Sequence, residues 1–415
     1  MDSARRDRLG DDLRGVLEGE LLLDELTCAL YATDASLFRV VPAAVVRPRH
    51  EPDVRAVVRY AAEHQIPLTA RGAGTGTAGA CLGPGIVLDF SRFMHDVVEV
   101  GPDHVRVQPG VPWERLAARL ERDGRRVVAE PASAVTSTLG GMAAANSSGP
   151  RMALHGSTSD HLLACRVVLD NGDAVDLGRL ARQSVDDVPE RLRAIHRASI
   201  GLLERHAEAI AAERSRVAFD RCGYRLHGAL GEGSLDYTRL LAGSEGTLGL
   251  LTELTLRTAP LAGGRGAVLF GCPDLDTALR AARLAVDRRP SANELLDGRL
   301  LSLIRGRDAE HARMIPAQAG AALLVEFEAE SPAEARRQTL DFIDELVRSR
   351  LPALLAVPAF VPADVARLWA VVEAALPSLS ALRGGPQAVP VIEDVAVPVD
   401  RVSDYLARLQ GLLRR

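Results

Sequence analysis

Two segments of this chain combine dense glycine with hydroxyl side chains. Residues 71–79 read Arg-Gly-Ala-Gly-Thr-Gly-Thr-Ala-Gly and follow an apolar run at 66–70 that predicts a strand. Glycines leave backbone N–H groups able to converge on an anion, and threonine hydroxyls add donors. We therefore expect a phosphate-binding loop at 71–79, with a flexible surface loop as the alternative. Residues 131–150 carry small hydroxyl side chains, a Gly140-Gly141 pair and an Asn-Ser-Ser-Gly turn, a pattern that offers neutral hydrogen bonds to a planar or phosphorylated ligand.

A third glycine-rich segment supports a single ligand. Residues 243–249 read Gly-Ser-Glu-Gly-Thr-Leu-Gly and stand directly before an alternating strand pattern. Alone, this segment could be a bulged turn with a solvated Glu245, just as residues 131–150 could be a Ser/Gly linker. Linkers rarely place residues such as Val135, Leu139 and Met142 at core-like spacing. Three such segments at strand edges favour one long nucleotide cofactor.

The first loop also matches a dinucleotide-binding pattern, because residues 74–79 satisfy G-x-G-x-x-G. That motif requires a helix to begin inside the loop and to direct its N-terminus at the pyrophosphate. Gly83-Pro84-Gly85 would break such a helix, and the chain contains no lysine for a nucleotide-binding P-loop. A nicotinamide enzyme of the Rossmann type is therefore disfavoured.

The amino-acid composition limits the classes of protein and of binding partner that are possible. The 415 residues are 47% hydrophobic and 25% charged, which is typical of two or three globular domains. A net charge of -5 without a long basic run argues against nucleic acid, and all 50 basic residues are arginine, so a cationic anchor must be Arg or His. The apolar stretches are too short to span a membrane, and the N-terminus lacks a secretory pattern. We expect a cytoplasmic protein, with peripheral attachment to the inner face of the membrane as an alternative.

Hydrophobic periodicity predicts a mixed chain. A hairpin with a two-residue Asn171-Gly172 turn is expected at 167–177, and an arginine-, alanine- and glutamate-rich helical insertion at 184–240. Beyond a boundary near Pro260, strands at 267–270 and 323–328 alternate with helices at 275–287 and 332–348. This order predicts a ferredoxin-like second domain.

Together these motifs resemble the FAD-binding domain of the PCMH type, in the vanillyl-alcohol oxidase superfamily. The order is specific: the glycine loop, Pro-x-Ser…Thr-Leu-Gly-Gly…Asn…Gly, His155-Gly156 with Asp160, and Gly-Ser-Glu-Gly-Thr-Leu-Gly. Within that superfamily the chain is similar to glycolate oxidase, D-lactate dehydrogenase and D-2-hydroxyglutarate dehydrogenase flavoproteins. It most resembles the N-terminal part of the form fused to an iron–sulfur domain, as residues 391–398 (Val-Ile-Glu-Asp-Val-Ala-Val-Pro) also indicate.

The resemblance implies an α+β fold, with a PCMH-type FAD-binding domain of two α/β subdomains and a ferredoxin-like cap that is C-terminally incomplete. We expect an N-terminal helical extension at 1–36, the FAD-binding domain at 37–260 and the truncated FAD-linked oxidase C-terminal domain, or substrate cap, at 261–415. The implied FAD-binding residues are Arg71, Gly72, Ala73, Gly74, Thr75, Gly76, Pro131, Ser133, Thr138, Gly140, Gly141, Asn146, Ser148, Gly149, Gly156, Asp160, Glu245, Gly246 and Thr247. Relatives that attach flavin covalently use His or Cys, and the loop has neither before Cys81, so non-covalent FAD is expected.

The implied reaction is oxidation of a 2-hydroxy acid of the D-2-hydroxyglutarate, D-lactate or glycolate class by hydride transfer to flavin N5, with electrons passing to a quinone or an iron–sulfur partner. The family holds the substrate carboxylate partly with an arginine in Leu-Trp-x-x-Arg-Glu. Here Val372 occupies that position, which leaves Arg367 and Arg383 as candidate anchors.

The end of the chain departs from the family. The family's histidine-containing segment is absent before Arg415, so no metal and no catalytic base are assigned. Glu393 and Asp394 could stand near the flavin, although a strand-end role is favoured. The alternative function is a flavin-binding subunit or fragment that needs a partner chain to complete its active site.

Overall fold

The computed structural model describes residues 3–183, 187–213, 217, 222–384, 389, 392 and 395–414. These residues form two compact units. Among the described residues, the first unit contains 3–148, 157–213 and 222–260, and the second contains 149–156, 217 and 261–414. Glu393 and Asp394 lie outside the described residues.

The strands of the first unit, in chain order, are β1 (Glu20–Leu22), β2 (Ala44–Arg47), β3 (Leu68–Arg71), β4 (Ile86–Asp89), β5 (Val97–Val100), β6 (His104–Val107), β7 (Arg125–Arg126), β8 (Leu162–Val168), β9 (Ala174–Leu177), β10 (Arg179–Ala181), β11 (Ser234–Asp236), β12 (Leu250–Arg257) and β13 (Ala259–Pro260). The helices in the same part of the chain are α1 (Ser3–Leu13), α2 (Glu25–Leu30), α3 (Glu51–His64), α4 (Trp113–Glu121), α5 (Leu139–Ala144), α6 (Met152–His155), α7 (Thr158–His161), α8 (Glu190–Arg205), α9 (Ala207–Ala212) and α10 (Tyr237–Leu241). Of these helices, α6 belongs to the second unit.

Two sheets organise the first unit. The first has the order β1-β2-β4-β3, in which β2, β4 and β3 are parallel and β1 is antiparallel to β2. The second is antiparallel, with the order β5-β6-β12-β8-β9. Two apolar clusters support these sheets. Val54, Val57 and Val58 of α3 belong to a cluster that joins the first sheet to Val168 and Leu250 of the second, and Leu116 and Leu120 of α4 belong to the main cluster of the second sheet.

Two local predictions for this unit are wrong in detail. The N-terminal extension is not only helical, because Glu20–Leu22 pairs with Arg47–Val45 and adds a strand to the first sheet. The hairpin forms, but its loop has three residues, since the Gly172 N–H donates to the Leu169 carbonyl and the Leu169 N–H to the Asp173 carbonyl. A two-residue turn of the type that Asn-Gly favours needs positive φ at both residues, and only Gly172 (φ 81°) has it.

The second unit contains a four-stranded antiparallel sheet. Its remaining strands and helices are β14 (Gly264–Cys272), α11 (Leu275–Val286), β15 (Ala292–Asp297), α12 (Gly298–Arg307), α13 (Ala309–Met314), β16 (Ala321–Ala329), α14 (Pro332–Arg348), β17 (Leu355–Ala359), α15 (Pro362–Glu373), α16 (Ala375–Ser380) and α17 (Val402–Leu413), with a 3-10 turn at Val399–Arg401. The sheet order β15-β16-β14-β17 and the sequence βαββαβ of its main elements are ferredoxin-like. The α+β fold class predicted from the sequence is confirmed.

Helix α14 shows how local sequence signals determine the bounds of a helix in this unit. Pro332 occupies the first turn, and the Ser331 side chain accepts a hydrogen bond from the Glu334 N–H at 3.2 Å. The buried residues Ala335, Thr339, Phe342 and Leu346 recur at helical spacing. The helix therefore matches the predicted range 332–348.

A buried ion pair lies against the opposite face of this sheet. Arg151 donates from Nε and Nη2 to the two carboxylate oxygens of Glu326, at 2.7 and 3.0 Å. Ser291 Oγ and Trp369 Nε1 donate to the same carboxylate, at 2.8 and 2.7 Å. Burial raises the pKa of Glu326, but the hydrogen bond and charge of Arg151 outweigh burial and hold the pKa below its ordinary value. The carboxylate is thus ionised and saturated with donors.

Replacing Glu326 with Ala should destabilise the second unit by about 3–5 kcal/mol, because Arg151 would keep a buried charge without this carboxylate. Chemical denaturation followed by tryptophan fluorescence measures the loss. The control is Glu334→Ala, which removes an exposed pair with Arg337 and should cost about 0–1 kcal/mol. Because the folded-state pKa is lowered, the stabilisation is present above the ordinary glutamate pKa of about 4.3 and disappears as pH falls through the folded-state value. Equal losses in the two variants would contradict the prediction.

Candidate functional site

One cleft of the first unit is lined by all three glycine-rich segments. It encloses about 1110 Å³ of empty space, part of which is open to solvent. The predicted residues that line it are Arg71, Gly72, Ala73, Gly74, Thr75, Gly76, Ser133, Thr138, Gly140, Gly141, Glu245 and Gly246. Residues distant in sequence therefore meet at one concave surface.

Backbone hydrogen bonds hold the second segment in place. The Gly140 N–H donates to the Pro109 carbonyl at 2.8 Å, and the Leu139 N–H to the Val111 carbonyl at 3.0 Å. A Cβ on Gly140 would lie 2.5 Å from Pro109 Cβ. Because α5 begins at Leu139, this close approach fixes the start of the helix beside the cleft.

The third segment is fixed against the second. The Gly243 N–H donates to the Ala143 carbonyl at 3.1 Å, and the Glu245 N–H to the Ala144 carbonyl at 2.9 Å. Both carbonyls belong to the last turn of α5, where backbone acceptors lack partners within the helix. These hydrogen bonds therefore join two of the lining segments directly.

The first segment leaves β3 at Arg71 and reaches β4 at Ile86 without a helix across residues 72–85, all of which the structure describes. Gly72 lies so close to the second segment that a Cβ there would be 2.1 Å from Thr138 Oγ1. A side chain at this position would displace Thr138, so the backbone of the first segment packs directly against the Thr138 side chain of the second.

Two buried polar atoms near the three segments have no hydrogen-bond partner among the described residues: Thr138 Oγ1 and Asn146 Nδ2. Thr138 lines the cleft. Asn146 is fully buried in a left-handed conformation (φ 47°), and its Oδ1 accepts a hydrogen bond from the Ser159 N–H at 2.9 Å. An unpaired buried polar atom costs free energy unless a ligand or water satisfies it. Thr138 Oγ1, which lines the cleft, is therefore a candidate donor to a bound ligand.

Seven predicted residues do not line this cleft: Pro131, Asn146, Ser148, Gly149, Gly156, Asp160 and Thr247. Gly149 and Gly156 fall in the second unit. Thr247 Oγ1 donates to the Ser244 carbonyl at 2.6 Å and therefore braces the third segment.

Asp160 has a capping role in the structure. Its carboxylate accepts a hydrogen bond from the Ser157 N–H at 2.8 Å, in a capping box at the start of α7, and one from Arg225 Nη1 at 3.1 Å. Burial raises the pKa of Asp160, but the hydrogen bonds from Ser157 and Arg225 outweigh burial and leave the pKa below its ordinary value.

Several lining residues were not predicted, among them Cys81, Phe90, Ser137, Ser147 and Leu251. Ser137 and Ser147 lie inside a segment that was predicted, whereas Leu251 belongs to a strand whose alternation only indicates burial. Burial raises the pKa of the Cys81 thiol to about 11, with a hydrogen bond to Asp34 acting in the same direction. The thiol is therefore protonated at neutral pH and is a poor nucleophile.

The two arginines predicted to anchor a carboxylate belong to the second unit. Arg367 is exposed and donates from Nε to Glu310 at 2.8 Å and from Nη1 to Asp364 at 3.4 Å. Arg383 Nη1 donates to the carbonyls of Ser380 and Leu382, at 2.8 and 3.0 Å. Val372 packs against the apolar cluster formed by Leu368 and its neighbours.

Neither a metal site nor a membrane-spanning helix occurs among the described residues. No group of three or more His, Cys, Asp or Glu side chains is arranged to hold a metal ion. Within the same residues, no helix is long and apolar enough to cross a bilayer.

Comparison with known proteins gives two family matches. Residues 42–178 match the family described as "FAD binding domain", and residues 265–415 match "FAD linked oxidases, C-terminal domain".

Curated relatives match most of this chain. D-2-hydroxyglutarate dehydrogenase of Escherichia coli (strain K12) is 31% identical over 410 residues, which are 94% of this chain and 40% of the relative. Glycolate oxidase subunit GlcD of Bacillus subtilis (strain 168) is 25% identical over 92% of this chain and 71% of its own length. Mitochondrial D-lactate dehydrogenase [cytochrome] of Arabidopsis thaliana is 27% identical over 89% of this chain and 55% of its own length. The chain thus spans about 40% of the D-2-hydroxyglutarate dehydrogenase that it matches.

A solved structure shares the fold. Alkyldihydroxyacetonephosphate synthase superposes with a TM-score of 0.62 at 18% identity, over 91% of this chain and 64% of that protein. This likeness concerns the fold alone. The two family matches, their order along the chain and the convergence of the three predicted segments agree: the chain belongs to the family of FAD-linked oxidases with a PCMH-type FAD-binding domain.

Proposed function

We propose that this chain is the flavin and substrate-cap portion of an FAD-dependent dehydrogenase that oxidises a 2-hydroxy acid. The observation that carries the proposal is the cleft lined by three converging glycine-rich segments, at which Thr138 Oγ1 has no hydrogen-bond partner among the described residues. The residues fit FAD, because Gly72, Gly74 and Gly76 line the cleft without side chains and neutral donors suit both diphosphate and flavin. In this assignment residues 37–260, with the insertion at 184–240, are the FAD-binding domain, residues 261–415 are the cap and residues 1–36 are an extension.

The chemistry would come from the cofactor: bound FAD would supply the acceptor for the hydride of the substrate α-carbon, and a base would take the hydroxyl proton. The chain's own residues would hold and orient the cofactor. Residues 72–76 would offer backbone N–H groups to the diphosphate, and the Thr138 hydroxyl would donate to a polar atom of the cofactor. The protonated Cys81 thiol supports non-covalent attachment.

The substrate class follows the relatives named above, so we propose D-2-hydroxyglutarate, D-lactate or glycolate as the substrate. We propose that the protein acts in the cytoplasm or at the inner face of the membrane. Electrons then pass to a quinone or to an iron–sulfur domain or subunit.

A second function is favoured by the local partners of Arg367 and Arg383 and by the apolar packing of Val372. Each candidate cation is already engaged locally, and the expected anchor position is apolar. We propose as the alternative a flavin-binding subunit that gains turnover only with a partner chain.

Anaerobic spectroscopy tests the proposal. The purified chain should show the absorbance of bound flavin, and one enantiomeric series in a panel of D- and L-2-hydroxy acids should bleach it. Bound flavin that no hydroxy acid bleaches would support the alternative. A chain that takes up no flavin at micromolar FAD would contradict both functions.

Replacing Thr138 with Val should weaken FAD binding about 2- to 12-fold, the equivalent of one neutral hydrogen bond of about 0.5–1.5 kcal/mol. The same change should leave the stability of the cofactor-free protein unchanged or higher, because the hydroxyl has no partner there. Flavin fluorescence quenching and thermal denaturation measure the two effects.

The matched control is Thr252→Val. Thr252 is also buried, but its Oγ1 donates to Glu51 at 2.9 Å. This substitution should therefore destabilise the cofactor-free protein without changing FAD affinity. A Thr138→Val protein that loses stability but keeps its FAD affinity would refute the role assigned to this hydroxyl.

A further inference from the structure

The residue that opens the first glycine-rich segment, Arg71, has its guanidinium directed at backbone carbonyls. Nη2 donates to the Thr33 carbonyl at 2.8 Å and Nη1 to the Tyr31 carbonyl at 3.3 Å. Its Cζ also lies 5.2 Å from the centre of the Tyr31 ring. A Cβ on Gly74 would be 2.7 Å from Nη2, so the guanidinium lies directly beside the loop backbone. The guanidinium therefore bridges the loop and an N-terminal segment more than 30 residues away in sequence.

The same N-terminal segment, residues 31–38, touches the loop at three further points. The Ala35 N–H donates to the Gly74 carbonyl at 3.1 Å. Cys81 Sγ donates to Asp34 at 3.3 Å. The Phe38 ring covers Gly79, where a Cβ would lie 2.8 Å from Cδ2. The segment thus supports the loop at its start, middle and end.

Residues 31–38 are in turn fixed to the first sheet. The Tyr31 hydroxyl donates to the buried carboxylate of Asp89, the last residue of β4, and accepts a hydrogen bond from Arg47 Nε at 3.1 Å. The Val40 N–H donates to the Ala32 carbonyl at 2.9 Å. Contacts therefore run continuously from two strands of the sheet, through Tyr31, to the guanidinium of Arg71.

A glycine-rich loop needs such external support. Its residues lack side chains that could pack, and glycine loses more conformational entropy on ordering than other residues do. A loop that is already ordered avoids this loss when its ligand binds, so its affinity is higher. An arginine suits the task because its planar fork can reach two carbonyls at once, whereas a lysine ammonium is a single point charge.

We propose that Arg71 is a positioning residue that clamps the cofactor loop to residues 31–38, and that these residues are consequently part of the cofactor site. The proposal rests on the FAD-binding role proposed above. It differs from the sequence-based expectation, in which Arg71 contacts the cofactor itself. A clamp and a direct diphosphate ligand predict different experimental signatures.

The decisive variant is Arg71→Met in the full chain, compared with Arg39→Met. Arg39 is an exposed cation directly after residues 31–38. Its replacement with Met therefore changes the net charge of the protein as much as Arg71→Met does. FAD affinity is measured by fluorescence quenching at several salt concentrations, and amide hydrogen exchange of residues 72–81 is measured in the cofactor-free protein.

The clamp predicts that Arg71→Met weakens FAD binding about 10- to 100-fold, the range for a lost charge-assisted hydrogen bond or pair. The salt dependence of the dissociation constant should stay as in the wild type, since no charge contact with FAD is lost. Exchange across 72–81 should become about tenfold faster in the absence of FAD, and Arg39→Met should change neither quantity.

Arg71→Lys separates charge from geometry. A clamp predicts that this variant resembles Arg71→Met in both measurements, because the shorter lysine side chain ends in one nitrogen and cannot occupy the positions of both guanidinium nitrogens. A direct contact between Arg71 and FAD predicts a different result. FAD affinity would then return in Arg71→Lys, while Arg71→Met would show a reduced salt dependence and unchanged amide exchange. That combination would overturn the proposal. Unchanged exchange and affinity in Arg71→Met would also overturn it.

The variant Tyr31→Phe provides an independent test if Arg71→Met does not fold. Tyr31→Phe keeps the ring and the carbonyl but removes the hydroxyl that donates to Asp89, and the clamp predicts faster exchange at 72–81 here too. Wild-type exchange in this variant would contradict the proposal. If the wild-type chain binds no FAD, the proposed function fails, whereas the exchange measurements still decide whether Arg71 orders the loop.

Discussion

The candidate site depends on glycines whose backbone packs closely against neighbouring segments, where a Cβ would not fit. A Cβ on Gly72 would overlap Thr138 Oγ1, and a Cβ on Gly140 would overlap Pro109. Such contacts bring N–H groups to a ligand, but glycine supplies no packing energy of its own. Neighbouring elements therefore have to hold the glycine-rich segments in place. Carbonyls at the end of α5 accept hydrogen bonds from Gly243 and Glu245, and residues 31–38 support the first loop.

Buried polar groups separate structural from ligand-binding roles in this molecule. Glu326 is buried and receives donors from Arg151, Ser291 and Trp369, so nothing is left for it to bind. Thr138 Oγ1 and Asn146 Nδ2 are also buried, yet neither has a hydrogen-bond partner within the described residues. An unpaired buried group costs free energy, which a bound ligand or water offsets. The charged cluster is thus architectural, whereas Thr138 Oγ1 at the cleft is open to a ligand.

Several arginine side chains in this structure hold segments of backbone together. Arg71 donates to two backbone carbonyls and Arg125 donates to the Thr258 carbonyl and hydroxyl. Arg367 and Arg383 are engaged by local acceptors as well. A sequence in which every basic residue is arginine offers many candidate anion ligands, but a planar guanidinium with five donors is equally suited to joining segments of backbone. Charge alone therefore does not identify the residues that meet a substrate.

The sequence by itself determined the periodic and motif-bearing parts of this protein: helix 332–348, the strands after the first and third glycine-rich segments, and the family to which those segments belong. These features are local, since caps, periodicity and glycine spacing act over a few residues. Tertiary structure alone decided that Arg225 donates to Asp160, that residues 149–156 join the second unit, that Arg71 faces backbone carbonyls and that Glu20–Leu22 extends a sheet. Each of these depends on a partner that the chain brings close only when it folds, and a residue's own type and neighbours in sequence carry no record of that partner.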